Sequence, residues 1–347
     1  MADLTRHSSR RSPIIERPGE EEMIETLKIF ELISTLRLPI RKPFISILMG
    51  LVVSVLLVGL PGCNALGFNS PVIPTSTATQ TAAPSASPTE QPTNTPAVTR
   101  TPFATAVPTL GLGSITTRDK DGMQMVFVSE GPFTMGSDTG SDNEKPAHTV
   151  TLAAFWIDQT EVTNDKYAQC VQTGACQPPA DKSSKKQPNY YGNSNFSEYP
   201  VIYVEWNQAK TYCEWAGGRL PTEAEWEKAA RGTDGRIYPW GDSIDKTYAN
   251  YNNNVGDTTA VGQYEKGKSF YGAYDMTGNV WEWLADWYGE TYYSSSPASN
   301  PTGPTSGAYR VLRGGSWSGN PINQRVTFRY GIAPVSWYYG LGFRCAR

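Results

Sequence analysis

The sequence predicts an α+β fold, irregular and rich in loops, for the part of this 347-residue chain that runs from residue 114 to its end. Three observations carry that prediction. The stretches "MVFVSEGPFTMGSD" and "HTVTLAAFWIDQTEVT" read as short strands broken by Gly/Pro turns. Three brief segments carry helix start and stop signals. The remainder is dense in Gly, Asn and Trp and keeps neither the period of a strand nor that of a helix.

Each element has a local reason. Thr163 can cap a first helix through Val171, stopped at Gly174. "WNQAKTYCEWAGG" gives a second, ending at Gly217 and Gly218. Thr222 and Glu225 form a capping box for "EAEWEKAARG", stopped at Gly232. The chain holds 10 Trp, 19 Tyr and 11 Phe, nearly all beyond residue 120, so large rings are available to anchor the loops. Trp206, Trp215, Trp226, Trp240, Trp281 and Trp283 stand beside glycines and helix caps and are expected in the core rather than on a ligand platform.

Upstream the chain is of another kind. Residues 1–43 form a basic, cytosolic segment in which Met23 is an alternative start. Residues 44–63 combine the apolar run "FISILMGLVVSVLLVGL" with "LPGC", which fits a signal-peptide core and a lipobox whose cysteine, Cys63, is lipidated. An uncleaved single-span anchor is the other reading, and both put the residues beyond Cys63 outside the cytoplasm. Residues 64–113 are dominated by Ser, Thr, Pro and Ala and cannot bury enough apolar surface to order themselves, so a disordered stalk is expected. Formal net charge is −3 and only 18% of residues are charged. No basic excess exists to neutralise phosphates, which excludes nucleic acid as the partner.

With Cys63 set aside, Cys170, Cys176, Cys213 and Cys345 remain, an even number in an oxidising compartment. Cys170 and Cys176 flank a tight "VQTGA" turn and can bridge locally; free structural thiols are the alternative. Only His7 and His148 occur, and His148 in "EKPAHTVTL" reads as a strand-edge residue rather than a lone metal ligand.

The motifs "FWIDQTEVTNDKYAQC", "YPVIYVEWNQAKTYCEWAGGRLPTEAEWEKAARG", "YPWGD", "GAYDMTGNVWEW", "LRGGSW" and "GFRCAR" occur in this order. Together they resemble the formylglycine-generating enzyme family, also called the sulfatase-modifying-factor family. The resemblance implies a C-type-lectin-like fold over 114–347 and a bridge between Cys213 and Cys345. It implies structural calcium at Asp275 and Glu282, with the carbonyls of Gly278 and Val280, and a second site around Asn250, Tyr251, Asn253 and Val255. Read on their own, Asp275 and Glu282 fit equally well an Asx-turn with a buried, hydrogen-bonded glutamate. The family's enzymes hold copper through a cysteine pair just after the Gly-Gly-Ser-aromatic motif, a role that suits soft thiolates. Here the matching positions are Gly319 and Gln324, so no copper and no parent oxidation are expected.

Arg313, Arg325, Arg329 and Arg344 match the family's spacing and are expected to pin loops through backbone carbonyls. Between them run Ser318, Gly319, Asn320, Asn323, Phe328, Tyr330, Ile332, Ser336, Trp337, Tyr338 and Tyr339, with Ala333 and Gly340 among them. Lectin-fold relatives, including variable proteins of diversity-generating retroelements, carry asparagine at many such places, and adenine changes in an Asn codon reach most of these residues. Trp337 is reached instead from an Arg codon, and Gln324 by neither route. Rigid rings interleaved with Ser, Gly and Asn resemble adaptable binding surfaces. The expectation is a membrane-tethered, non-catalytic module that binds a protein or glycan through 318–340. The alternatives are a diverged oxidase acting on extracytoplasmic polypeptides, a structural envelope module, and a plain solvent-facing loop.

Overall fold

The computed structural model describes Leu110–Arg347. The basic segment, the apolar run with Cys63, and nearly all of the Ser/Thr/Pro stretch lie outside the described residues. Among the described residues no helix is long and apolar enough to cross a membrane.

The first half holds β1 (Ile115–Thr117), β2 (Gln124–Val128), β3 (Gly131–Met135), β4 (His148–Leu152) and β5 (Phe155–Asp158). Strands β1, β2 and β5 form one antiparallel sheet in that order, and β3 pairs with β4 in a second. Three helices come next: α1 (Asn164–Gln172), α2 (Trp206–Trp215) and α3 (Glu223–Arg231). The second half supplies β6 (Trp281–Trp287), β7 (Arg310–Arg313), β8 (Tyr330–Ile332) and β9 (Leu341–Gly342). They lie in the order β8-β7-β6-β9, antiparallel except for the parallel pair β6–β9.

Capping explains the helix starts. Thr163 Oγ1 accepts the Lys166 N–H at 3.4 Å, and Thr222 and Glu225 exchange bonds at 3.2 and 2.9 Å. Helix α2 begins on Glu205, whose N–H donates to the Gln208 side chain at 2.9 Å. Helix α3 has all nine of its residues buried although five of them are charged. Lys228 Nζ donates to the carbonyls of Ser129 and Gly131 at 2.7 and 2.8 Å, and Arg231 Nη1 donates to those of Thr134 and Gly136 at 3.0 and 2.8 Å. These bonds tie α3 across β3.

One buried cluster gathers Tyr167, Tyr212, Trp283 and Phe343 around the Cys213–Cys345 disulfide. A second gathers Phe133, Val150, Trp226 and Leu284, and a third, smaller one holds Tyr190, Ile202, Tyr203 and Val280. Both expected disulfides are present, with Cα–Cα 5.3 Å for Cys170–Cys176 and 5.5 Å for Cys213–Cys345. Of the six framework tryptophans, Trp206, Trp226, Trp281 and Trp283 are buried, whereas Trp215 and Trp240 are half-buried.

Candidate functional site

The segment after β7 is shaped by two glycines. Gly314 and Gly315 have φ of +92° and +71°, and a Cβ on Gly315 would stand 2.6 Å from the Gln324 amide. Only residues without a side chain fit there. The turn drops Trp317 into the interior, 2% exposed, with its N–H donating to the Asn279 carbonyl at 2.9 Å. Gln324 is fully buried; its Nε2 donates to the carbonyls of Ser316 and Gly319, both at 3.1 Å, and its Oε1 has no partner.

The four arginines clamp the loops through carbonyls, as the sequence suggests. Arg313 Nη1 donates to Thr327 and Phe328 at 2.9 and 2.8 Å, and Arg329 Nη1 to Asn143 and Gly289 at 2.8 and 3.2 Å. Arg325 donates to the Ile322 carbonyl at 3.3 Å, and Arg344 to those of Asp158 and Tyr274 at 3.1 and 2.8 Å. Each also meets a buried carboxylate that sequence reasoning passed over in this role. Arg313 pairs with Glu227, Arg325 with Glu144, Arg329 with both oxygens of Glu223, and Arg344 with both oxygens of Glu282. Burial opposes the charge of Arg344, and Glu282 outweighs that opposition, so its pKa lies above the usual guanidinium value.

These clamps set where the residues of 318–340 fall. Ser318 is exposed, while Gly319, Asn320, Asn323, Phe328, Tyr330, Ser336, Trp337, Tyr338 and Tyr339 are half-buried. Ile332 corrects the expectation: at 7% exposed it packs into the core as part of β8 and supports the surface from below. The rings are rooted. Phe328 and Tyr330 each lie 6.0 Å from Trp281, Tyr339 lies 5.4 Å from Trp317, and Trp337 lies 5.7 Å from Tyr203. Burial pushes the Tyr338 hydroxyl well above its ordinary pKa, with Tyr330 and Tyr339 nearby adding to the effect. The sequence reading missed Tyr203, whose left-handed backbone, φ 59°, leaves no mark in the local sequence.

Residues 113–347 match the Sulfatase-modifying factor enzyme 1-like domain. The chain belongs to this family. The formylglycine-generating enzyme of Streptomyces coelicolor is 36% identical over 280 residues, covering 64% of this chain and 88% of that protein. The serine/threonine-protein kinase Pkn1 of Chlamydia pneumoniae is 37% identical over 239 residues, but the match spans only 38% of its length. Among solved structures, PvdO from Pseudomonas aeruginosa superposes with a TM-score of 0.59 at 29% identity, covering 68% of this chain and 98% of that one. Treponema denticola variable protein 1 gives 0.58 at 28% identity, covering 67% and 98%. The family thus includes enzymes, and the fold is shared with a variable protein.

Against this family's metals the donor atoms can be tested directly. Copper needs soft ligands, but Gly319 offers no side chain and Gln324 spends its amide on backbone carbonyls. The four cysteines among the described residues are all in disulfides, so these residues do not fit copper. In the first calcium set, Glu282 Oε2 accepts from Trp226 Nε1 and Arg344 Nε at 2.9 and 2.7 Å, and Oε1 from Arg344 Nη2 at 2.7 Å. Asp275 Oδ2 accepts the Gly262 N–H at 2.6 Å. In the second set, Asn250 Oδ1 is buried without a partner, but Lys186 Nζ already donates to the Val255 carbonyl at 2.5 Å. Among the described residues no group of three or more His, Cys, Asp or Glu is placed to hold a metal. Side-chain cations thus already stand at one member of each set, Arg344 at Glu282 and Lys186 at Val255.

Proposed function

We propose that this domain is a non-catalytic binding module, tethered outside the cytoplasm by its N-terminal segment, which presents 318–340 to a protein or glycan ligand. The observation that carries the reading is Gln324. At the position where the enzymes of the family need a thiolate, a buried carboxamide knots the loop to its own backbone, and the segment beyond it carries rings rooted on Trp281, Trp317 and Tyr203. The likeness to a variable protein supports it further. We also propose that the codons of 318–340 are diversified at their adenines.

Binding to an array of cell-surface proteins and glycans is expected, and Tyr338→Ala or Tyr339→Ala is expected to weaken it at least about tenfold, as for central aromatic anchors. Binding indifferent to both changes would argue against the module. The family's enzymes keep a rival reading open to test: turnover of a Cys-x-Pro-x-Arg peptide, with or without copper, is expected to be absent. Sequencing the locus across a source population is expected to show changes confined to adenine positions within 318–340; one fixed sequence would remove the diversification.

A further inference from the structure

Two loops from elsewhere in the chain border the 318–340 surface. Asn252 and Asn253 donate their N–H groups to the carbonyls of Gly319 and Trp317 at 2.9 and 2.8 Å, and both adopt left-handed backbone, φ 52° and 55°. Asn252, Asn253 and Asn254 are exposed. Next to them, the exposed Lys185 places Nζ 5.3 Å from the centre of the Tyr339 ring. Its neighbour Lys186, also exposed, reaches the Val255 carbonyl.

A buried carboxylate fixes the two loops together. Asp257 Oδ2 accepts Ser184 Oγ at 2.6 Å and the Lys186 N–H at 2.9 Å, while Oδ1 accepts the Thr258 N–H at 2.8 Å. This Asp is 6% exposed, so its charge is turned inward. The exposed carboxylate of the lysine loop, Asp181, accepts the Ser183 N–H of its own turn at 2.7 Å. The charge these contacts place against the rings is the Lys185 ammonium, with the asparagine amides in the neighbouring loop and Asp181 engaged on its own turn.

We propose that Lys185, Lys186 and Asn252–Asn254 form a fixed second edge of the binding surface, and that this edge selects a protein partner presenting an acidic segment. The inference rests on 318–340 being a binding surface and adds the charge and class of its partner. Rooted rings set among Ser, Gly and Asn are the make-up of surfaces that recognise proteins. A lysine edge beside them steers an acidic partner and disfavours a basic one. Because the edge lies outside 318–340, it stays constant whatever side chains that segment carries.

The test pans a phage-displayed random peptide library on the full-length chain and measures affinity for the enriched peptides. Peptides enriched in Asp and Glu are expected. Their affinity should fall about five- to tenfold on Lys185→Gln with Lys186→Gln, and should weaken as salt rises. Lys185→Gln alone breaks no hydrogen bond and should give a smaller loss in the same direction. Peptides that depend on Tyr338 and Tyr339 but show no acidic bias and no response to the lysine variants would overturn this inference and leave the binding surface standing. Acidic glycans bound on an array, with no peptide bound, would overturn the choice of a protein partner. No binding of either kind that responds to Tyr338 or Tyr339 would remove both readings.

Discussion

Asp286 sits in β6 at 3% exposure, accepting the Glu223 N–H at 3.0 Å. Burial first, and then the charge of Glu223, push its pKa well above the ordinary 3.8. The folded chain therefore holds a proton that the unfolded chain releases, and the associated stability is fully present below that ordinary value. It is lost as pH rises through the raised one. Asp286→Asn keeps the acceptor for Glu223 without the charge. Its melting temperature should respond less than the parent's as pH rises above the ordinary 3.8, read by calorimetry. Arg344 illustrates the opposite case, a fully buried cation with its carboxylate in place. Arg344→Met strands Glu282 and should cost about 3–5 kcal/mol in urea denaturation, a range usual for breaking a buried pair. Since Arg344 and Lys186 stand at donors that calcium would need, neither calcium nor a chelator should shift the melting temperature. An upward shift with calcium would show that these cations yield.

Among the elements, the disulfides differ in what they hold. Cys213–Cys345 closes a separation of 132 residues and ties α2 to the last strand region, whereas Cys170–Cys176 closes one of 6. On the chain-entropy view the first is worth about 5 kcal/mol and the second about 2. Paired Ser variants should lose stability in that order. Helices were legible because their signals are local: a threonine cap, a capping box, a terminal glycine. The β8-β7-β6-β9 sheet was not, and its residues read as loop. Strand β6 is "WEWLADW", whose Glu282 and Asp286 break any apolar run, and a distant arginine together with the Trp226 indole N–H makes Glu282 acceptable inside. The burial of α3 was hidden for the same reason, since Glu223 and Glu227 meet arginines from β7 and beyond it. Gly315→Ala tests the turn between β7 and Gln324. Left-handed backbone and contact with the Gln324 amide should together cost about 1–3 kcal/mol, read by thermal unfolding.

For the molecule as a whole, the sequence shows the clamps that bound 318–340, because glycines and arginines at fixed spacing survive in a linear string. It did not foresee Ile332 as core, nor the lysine and asparagine loops brought alongside by the Asp257 hub, since those meetings exist only in space. Ser318→Asn, at an exposed position, should alter ligand choice while moving the melting temperature by less than about 4 °C, whereas Trp337→Arg and Tyr339→Asn remove rings packed on Tyr203 and Trp317 and should lower it further. The reason lies in what the clamps hold. Arg313 grips the oxygens of Thr327 and Phe328, Gln324 those of Ser316 and Gly319, and Asn252 that of Gly319 again. Every amino acid brings the same carbonyl to the chain, so these contacts recognise the path of the segment and are blind to its spelling. A loop held in that way can be rewritten in its exposed letters and still be delivered to the same place.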